Sequence, residues 1–277
     1  SSQPLNDGTT IFYVTLVTQR STILTASTTC GLKSNDSDLV PVTANNAVKL
    51  QLLVPGESAV QGSPEGKSGT PSTRTAGSEF KITANCVDSW WNLTKSSPIV
   101  TPYISSTTQV CAKSDPYAII TPSSERLING TTIFNVTLII GNNSTFAGPA
   151  MHQITIEDTD AVDPVYTSTT SPAITTVPGS KSKLQVLVPK QTAVPGSASG
   201  WTGTISTQTA GSGFVITVNG CDAQFNRIYS GGDGEVKVEF SDPYDTPASS
   251  TNSLVNGTTN FTIVPLQANN TQYATAT

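Results

Sequence analysis

The sequence contains a single histidine, His152, and this scarcity limits the catalytic chemistry available to the chain. Nucleophilic catalysis by Ser/His or Cys/His groups needs a base held beside the nucleophile, and His152 has no counterpart in the other repeats of the chain. No Cys/His group has zinc-site spacing, and no glycine-rich phosphate loop precedes a helical pattern. We therefore expect a protein that is not an enzyme and needs no cofactor, with His152 at the edge of a strand.

Charged residues are also scarce, at 12% of 277 residues, and the net charge is −5. The absence of any Lys/Arg cluster argues against a nucleic-acid partner. No apolar run approaches the roughly 18 residues that a membrane helix needs, and no signal peptide is present. We expect no membrane span; if the protein is exported, this sequence represents a mature form or a fragment.

The chain is organised around a motif that occurs three times, in residues 5–12, 127–134 and 254–261. Each copy has an Asp-Gly or Asn-Gly turn followed by Thr-Thr and alternating apolar residues, which predicts a turn that leads into a β-strand. The copies begin 122 and 127 residues apart (127 − 5 and 254 − 127). The spacing predicts a tandem array of β-domains.

Further matching segments define one complete repeat. The pairs are Lys49–Pro55 with Lys183–Pro189, Thr75–Asn85 with Thr209–Asn219, and Asp88–Asn92 with Asp222–Asn226. Apolar residues alternate at period two in the second pair, which is typical of a half-buried strand. The third pair places an aromatic residue, Trp91 or Phe225, at the same position, and we interpret both as core aromatics.

Each repeat has roughly seven predicted strands and no helical periodicity, which indicates an all-β, immunoglobulin-like sandwich. We divide the chain into an N-terminal partial segment (1–48), a complete middle unit (49–182) and a third unit (183–277) that lacks its last strand. The N-terminal segment has three predicted strands, Thr9–Leu16, Ser21–Ser27 and Leu39–Thr43. Three such strands bury one sheet face at most.

These motifs resemble the tandem immunoglobulin-like repeats of prokaryotic, in particular archaeal, extracellular surface and filament proteins. The resemblance rests on the Lys-Leu-Gln-x-Leu-Val-Pro, Thr-Ala-Gly-Ser-x-Phe-x-Ile-Thr and Asp-x-x-aromatic-Asn segments, and it covers nearly the whole chain. It implies a cell-surface location and an assembly like that of strand-complemented pili or threads. Such motifs are structural, so they specify fold better than activity.

The two ends of the chain are complementary in their predicted strands. A sandwich that lacks a strand exposes unpaired backbone groups, which a strand from another chain can satisfy. A head-to-tail contact of this kind propagates as a filament. We expect a filament subunit in which 1–48 carries the donor strands for identical subunits and 183–277 is the acceptor. The alternative is a fragment of a long covalent array in an adhesin, a stalk or an S-layer protein, and the sequence leaves open which strand is donated.

Glycosylation sequons also favour an extracellular location. Asn-x-Ser/Thr occurs nine times, although a chain rich in Asn and Thr produces some sequons by chance. The predicted sites for N-linked glycans are Asn35, Asn92, Asn129, Asn135, Asn142, Asn143, Asn256, Asn260 and Asn269. Two of them, Asn129 and Asn256, lie in the turn of the repeated motif, where a glycan would not disturb a core.

Four cysteines in an exported chain suggest two disulfides. Cys86 and Cys111 lie in the same unit and could pair within the chain. Cys30 and Cys221 could pair between subunits across the core of a completed sandwich; alternatively, both are free or pair differently within one chain.

An acidic group made of Glu157, Asp158, Asp160 and Asp163 is a weak candidate for calcium, which takes several oxygen ligands. The group lacks the EF-hand pattern, so a solvated turn is the favoured interpretation and no metal site is assigned.

Overall fold

The computed structural model describes residues 2–106, 115–141, 152–160, 164–229, 234–245 and 249–277. All regular structure in these ranges is β-strand, which confirms the predicted all-β class. No helix that could cross a membrane is found among these residues.

The middle unit consists of two four-stranded sheets and two small pairs of strands. Its strands are β3 (Lys49–Leu53), β4 (Glu57–Ala59), β5 (Lys67–Gly69), β6 (Arg74–Thr75), β7 (Glu79–Val87), β8 (Ile99–Ser106), β9 (Ile119–Thr121), β10 (Glu125–Arg126), β11 (Thr131–Thr137), β12 (His152–Asp158), β13 (Thr169–Thr170) and β14 (Thr176–Val177), preceded in the N-terminal segment by β1 (Thr25–Ala26) and β2 (Asn35–Asp36). One large sheet has the order β3-β7-β11-β9 and the other β10-β8-β12-β13. β4 pairs with β5, and β6 pairs in parallel with β14.

The two large sheets of the middle unit enclose one hydrophobic core. Phe80, Ile82 and Ala84 are buried in β7, while Glu79 before them and Lys81 between Phe80 and Ile82 are exposed, so the predicted period-two alternation is confirmed. The core also contains Leu50, Leu52, Phe134, Val136, Ile154, Ile156 and Ile174.

The third unit repeats this arrangement with fewer strands. Its strands are β15 (Lys183–Leu187), β16 (Thr192–Ala193), β17 (Trp201–Thr202), β18 (Phe214–Cys221), β19 (Glu235–Phe240), β20 (Ser249–Ser253), β21 (Thr258–Ile263) and β22 (Ala274–Ala276). One sheet has the order β15-β18-β21 and the other β20-β19-β22. β22 matches β12 of the middle unit, but in the described residues no strand pairs with its outer edge as β13 pairs with β12.

The N-terminal segment contains little regular structure. β1 pairs with β2, and a single bridge joins Thr22 to Val40. Residues 10–17 belong to no sheet, so the predicted strand at Thr9–Leu16 is not formed. The physical reason is the lack of a neighbouring strand, because an isolated strand gains neither a hydrogen-bond ladder nor a buried face.

Candidate functional site

The middle unit is closed by the chain segment around β14. Ile174 exchanges backbone hydrogen bonds of 2.7 and 3.1 Å with His152 at the start of β12, and on the opposite side Arg74 N–H donates to Thr175 C=O at 2.8 Å. The Ile174 side chain is 1% exposed and belongs to the core. This segment therefore forms hydrogen bonds with backbone groups on both sides, and its Ile174 side chain fills the space between the two sheets.

The third unit has a groove at the corresponding place. Gln208 and Ala210 match Arg74 and Ala76 on one side of this place, since they stand 134 positions later in the sequence. On the other side, Gln272 lies just before β22 and matches His152 at the start of β12. The groove has a volume of about 610 Å³. We call it the third-unit groove; it is lined by Val188, Ile205, Gln208, Ala210, Phe214, Ile216, Phe240, Gln267, Asn269, Gln272 and Ala274, among others.

The backbone at both rims of the groove is open to pairing. Among the described residues, the N–H groups of Gln208 and Ala210 have no hydrogen-bond acceptor, whereas the matching Arg74 and Ala76 N–H groups donate to Thr175 and Val177. The N–H and C=O of Gln272 likewise have no backbone partner there. Two unpaired edges that face each other are a site for strand addition.

The floor of the groove is apolar and incompletely covered. Val54 and Phe80 are buried in the middle unit, but their counterparts Val188 and Phe214 are only half-buried. The Phe214 ring packs edge-to-face on Phe240, with 6.4 Å between ring centroids. None of the lining residues is charged. The groove therefore suits an uncharged strand with apolar side chains rather than an ionic ligand.

The N-terminal segment contains an uncharged stretch at Leu39–Thr43, where a strand is predicted but only Val40 is paired, through its bridge to Thr22. Val40 exchanges backbone hydrogen bonds of 2.8 and 2.9 Å with Thr22, as Ile174 does with His152. Ser37 N–H donates to Leu24 C=O and Ser37 Oγ accepts from Leu24 N–H, which repeats the bonds between Ser171 and Ile154. Val40 thus occupies the position of Ile174 in the repeat.

The outer edge of this strand is unpaired. The C=O groups of Pro41 and Thr43 match those of Thr175 and Val177, which accept hydrogen bonds in the middle unit. In the described part of the chain neither Pro41 C=O nor Thr43 C=O has a donor. The two open acceptors match the two open N–H donors at the rim of the third-unit groove.

A second contact site joins successive units of the chain. Asn92 Nδ2 donates to Val17 C=O at 2.9 Å, and Asn92 Oδ1 accepts from Gln19 N–H at 2.7 Å. Asp88 holds this amide in place, because its carboxylate accepts from both the side chain and the backbone N–H of Asn92. Asp88 also accepts from Asn45 N–H at 2.9 Å. We call this arrangement the first joint.

The same arrangement recurs between the middle and third units. Asn226 Nδ2 donates to Ile139 C=O at 2.8 Å, and Asn226 Oδ1 accepts from Gly141 N–H at 2.8 Å. Asp222 accepts from Asn226 and from Gly179 N–H. We call it the second joint. The N-terminal segment thus makes the same hydrogen bonds to the middle unit that the middle unit makes to the third unit. The segment therefore occupies the place of a preceding unit.

We expect acid to weaken the first joint through Asp88. Burial opposes ionisation of this carboxylate, but hydrogen bonds from Asn92, Asn45 and Trp90 outweigh it and lower its pKa. A lowered pKa stabilises the fold above the unfolded value near 3.8, and this stabilisation is lost as the pH falls through the folded pKa. The thermal unfolding temperature should therefore fall more for the native protein than for Asp88→Asn between about pH 6 and about pH 2. Equal falls would contradict this role of Asp88.

The repeated aromatic residues lie outside the core, so the prediction for them was wrong. Trp91 and Phe225 have positive φ values of 66° and 62°, and neither belongs to a hydrophobic core cluster. Each ring lies between a glycine, Gly66 or Gly200, and a lysine ammonium; Lys49 Nζ is 3.4 Å from the Trp91 centroid. The matching distance at Phe225 is 3.7 Å. These are structural cation–π contacts.

The cysteines form no disulfide among the described residues. Cys30 is exposed, and Cys86 and Cys221 are buried free thiols, whereas Cys111 lies outside the described residues. Burial raises the pKa of Cys86 to about 11 and that of Cys221 to about 12, which makes both poor nucleophiles. Cys221 is out of phase with the core residues Ile216 and Val218 of β18, so its thiol lies on the outer face of the strand. The predicted pairings remain untested, and this orientation does not suit a bridge across the core.

The sequons differ in accessibility. Five of the asparagines are exposed, Asn135 is half-buried, and Asn142 and Asn143 lie outside the described residues; the exposed ones are Asn35, Asn129, Asn256, Asn260 and Asn269. Asn92 differs, because it is buried and its Nδ2 donates to Val17 and Asp88. A glycan on that nitrogen would displace both acceptors.

We therefore expect Asn92 to be unmodified in the native protein, while glycans occupy the exposed sites. Glycopeptide mass spectrometry of native material, with Asn129 and Asn256 as internal comparisons, measures this directly. A glycan at Asn92 on folded, assembled protein would contradict the geometry of the first joint.

The acidic group and the histidine have structural partners. Asp158 accepts from Tyr166 N–H and Asp160 accepts from Ile99 N–H. Glu157 lies in β12, and Asp163 is outside the described residues. No group of three or more metal-ligating side chains occurs within the described ranges. His152 is the first residue of β12 and is fully buried, with Nε2 2.9 Å from Ile140 C=O.

Sequence reasoning did not identify two of the features that position these sites. Asp115 and Asp242 each accept two backbone N–H groups that follow the repeated-motif strand, from Ile139 and Ile140 at 2.6 and 2.9 Å in the first case. Asp242 accepts from Leu266 and Gln267 in the same way. The available sequence signal for this cap is the Ser-Asp-Pro-Tyr segment, which occurs at 114–117 and again at 241–244. No sequence signal marks Gln208 or Gln272.

Comparisons with known proteins identify no family. No family model and no curated protein matches the sequence. Among solved structures, the chain is similar to the Escherichia coli chaperone DraB, with 11% sequence identity over 80% of this chain and 88% of that chain, at a TM-score of 0.29.

Proposed function

We propose that this chain is a structural subunit of an extracellular, N-glycosylated filament, built from immunoglobulin-like units and assembled head to tail by strand complementation. In this assembly the Leu39–Thr43 strand of one subunit fills the third-unit groove of another. Each new subunit presents the next empty groove, so the contact does not close and the filament grows.

The match between the donor strand and the acceptor groove is the observation that carries this proposal. The middle unit shows how such a strand is held, because its own segment around Ile174 fills the same position and forms hydrogen bonds with His152 and Arg74. Val40 matches Ile174 in its pairing, and Pro41 and Thr43 present the free C=O groups that Gln208 and Ala210 require. Each of these main-chain bonds contributes about 1 kcal/mol net, and burial of the valine side chain adds about 1.5 kcal/mol or more.

The chemistry of the groove also favours a strand over a small-molecule ligand. One open rim, at Gln272, lies next to β22 at the edge of the β20-β19-β22 sheet, and the lining of the groove carries no charge. Main-chain pairing gives affinity in strand addition, and pockets for alternate side chains give specificity. Val40 and Val42 are the alternate side chains of this strand, since Ile174 and Thr176 are both buried in the middle unit.

A covalent repeat array is the second candidate function, favoured by the second joint. That joint shows how one unit passes to the next along a continuous chain, and residues that follow 277 in a longer polypeptide could fill the third-unit groove in the same way. The protein would then be a surface adhesin, a stalk or an S-layer component.

Intact mass and gel mobility of native material distinguish the two functions. A filament subunit gives chains of about 28.8 kDa when the ladder is denatured, reduced and deglycosylated. A single very long polypeptide under those conditions would establish the array and overturn the filament. A synthetic peptide of residues 33–47 gives a second test: it should cap the groove and stop growth, whereas the same peptide with Val40→Asp should not.

A further inference from the structure

The first joint contains a segment of the chain, residues 5–19, whose place could be taken by the corresponding segment of a partner subunit. Residues 5–19 hold Asn92 through Val17 and Gln19. The third unit has its own copy of this segment, in which Leu266 and Ala268 stand where Ile139 and Gly141 stand in the middle unit. The caps establish this alignment, because Asp242 binds Leu266 and Gln267 as Asp115 binds Ile139 and Ile140.

The partner's copy has the groups that the joint requires. Leu266 C=O and Ala268 N–H have no hydrogen-bond partner among the described residues, and their counterparts in the middle unit bind Asn226. We infer, on the basis of the proposed function, that the contact between subunits copies the second joint. Asn92 releases Val17 and Gln19 of its own chain and binds Leu266 and Ala268 of a second copy, so that residues 5–19 serve as a placeholder in the free subunit.

A comparison of two equivalent tyrosines, Tyr117 and Tyr244, supports the same exchange. Tyr117 packs so closely on Gly196 across the second joint that a β-carbon at this glycine would clash with the ring. The matching tyrosine of the third unit, Tyr244, is 66% exposed, against 37% for Tyr117. Gly62 matches Gly196, and its surface is covered in the free chain by the Thr18 side chain, with Oγ1 2.5 Å from the position of a β-carbon. After the exchange the Tyr244 ring takes this place on Gly62 of the next subunit.

The partner's copy is the more stable ligand for Asn92, because it is already part of a folded unit. Phe261 and Ile263 are buried and pair with β18, whereas the equivalent Phe12 and Val14 of the placeholder are exposed and unpaired. Displacement of the placeholder therefore breaks two hydrogen bonds and exposes no core residue. Formation of the new joint makes two equivalent hydrogen bonds to a segment that follows a paired strand. Asn92 makes two hydrogen bonds both before and after the exchange. The net gain in stability therefore comes from the Tyr244 ring contact and from the filled groove.

Hydrogen exchange of the native full-length chain, compared before and after assembly, tests the exchange directly. We expect the Gln19 amide to be protected in the free subunit and to lose at least tenfold in protection in the filament, while the Ala268 amide gains protection by a similar factor. Retained protection at Gln19 with an unprotected Ala268 in intact filaments would overturn this inference and leave strand complementation in place. Failure to assemble at all would remove the proposed function itself, and this inference with it.

A matched pair of variants separates the joint from general folding. Tyr244→Ala should slow filament growth by about tenfold, since it removes an aromatic contact of the new joint. Tyr117→Ala makes the same change at the second joint, and it should loosen that joint without slowing growth. Equal effects of both variants on growth would contradict the assignment of Tyr244 to the contact between subunits.

Discussion

Val40→Asp is expected to abolish filament growth while the free subunit stays folded. In the free chain Val40 belongs to neither hydrophobic core, so the substitution costs the subunit little. In the filament the same side chain takes the place of the fully packed Ile174, and burial of an unpaired carboxylate there costs several kcal/mol, roughly a hundredfold or more in affinity. Light scattering and negative-stain microscopy of the purified chain measure the loss.

Leu39→Asp is the matched control, because adjacent residues of a strand face opposite sides. Leu39 corresponds to Ala173, which is not part of the core, and it is exposed in the free chain. We expect this variant to assemble at nearly the native rate. Growth that is equally sensitive to both substitutions, or to neither, would contradict the assignment of Leu39–Thr43 as the donor strand.

Phe134→Ala is expected to destabilise the middle unit by about 3–5 kcal/mol, the usual range for removal of a buried phenylalanine. Phe134 is fully buried at the centre of the core, and its strand pairs with β7 and β9. Urea unfolding, with hydrogen exchange of β7 amides to report on the middle unit alone, measures the change.

The repeat provides its own control for this prediction. Phe12 occupies the same position in the motif but is 46% exposed in a segment outside any sheet. Phe12→Ala should therefore change the free energy of unfolding by no more than about 0.5 kcal/mol, as surface substitutions do. A large loss for Phe12→Ala would mean that residues 9–16 are part of a core in the free subunit, and the placeholder role would then be wrong.

The sequence predicts those parts of the fold that depend on local patterns. The alternation of Phe80, Ile82 and Ala84 is enough to predict β7, because period-two burial is a property of the strand itself. The repeated motif predicts β11 and β21 in the same way. It also predicts a strand at Thr9–Leu16, which fails because pairing depends on a neighbour that the motif does not contain.

The candidate site depends on contacts that no local pattern encodes. His152 and Gln272 are chemically unrelated, and only the registers of β12 on β8 and of β22 on β19 show that they occupy the same position. The aromatic character of Trp91 predicts a core residue, but its ring lies on Gly66 and under the Lys49 ammonium, outside the core cluster. Asn92 was identified only as a sequon, whereas its buried amide holds the first joint.

Photo-crosslinking between isotopically distinct subunits tests the central claim most directly. Unlabelled chains carry a photoreactive phenylalanine in place of Val40, assemble with native heavy-isotope chains, and are irradiated and digested. We predict crosslinks from position 40 of the light chain to heavy peptides that contain Gln208, Phe214 or Gln272. Crosslinks confined to residues of the light chain, or to heavy peptides of the middle unit, would contradict strand complementation at the third-unit groove.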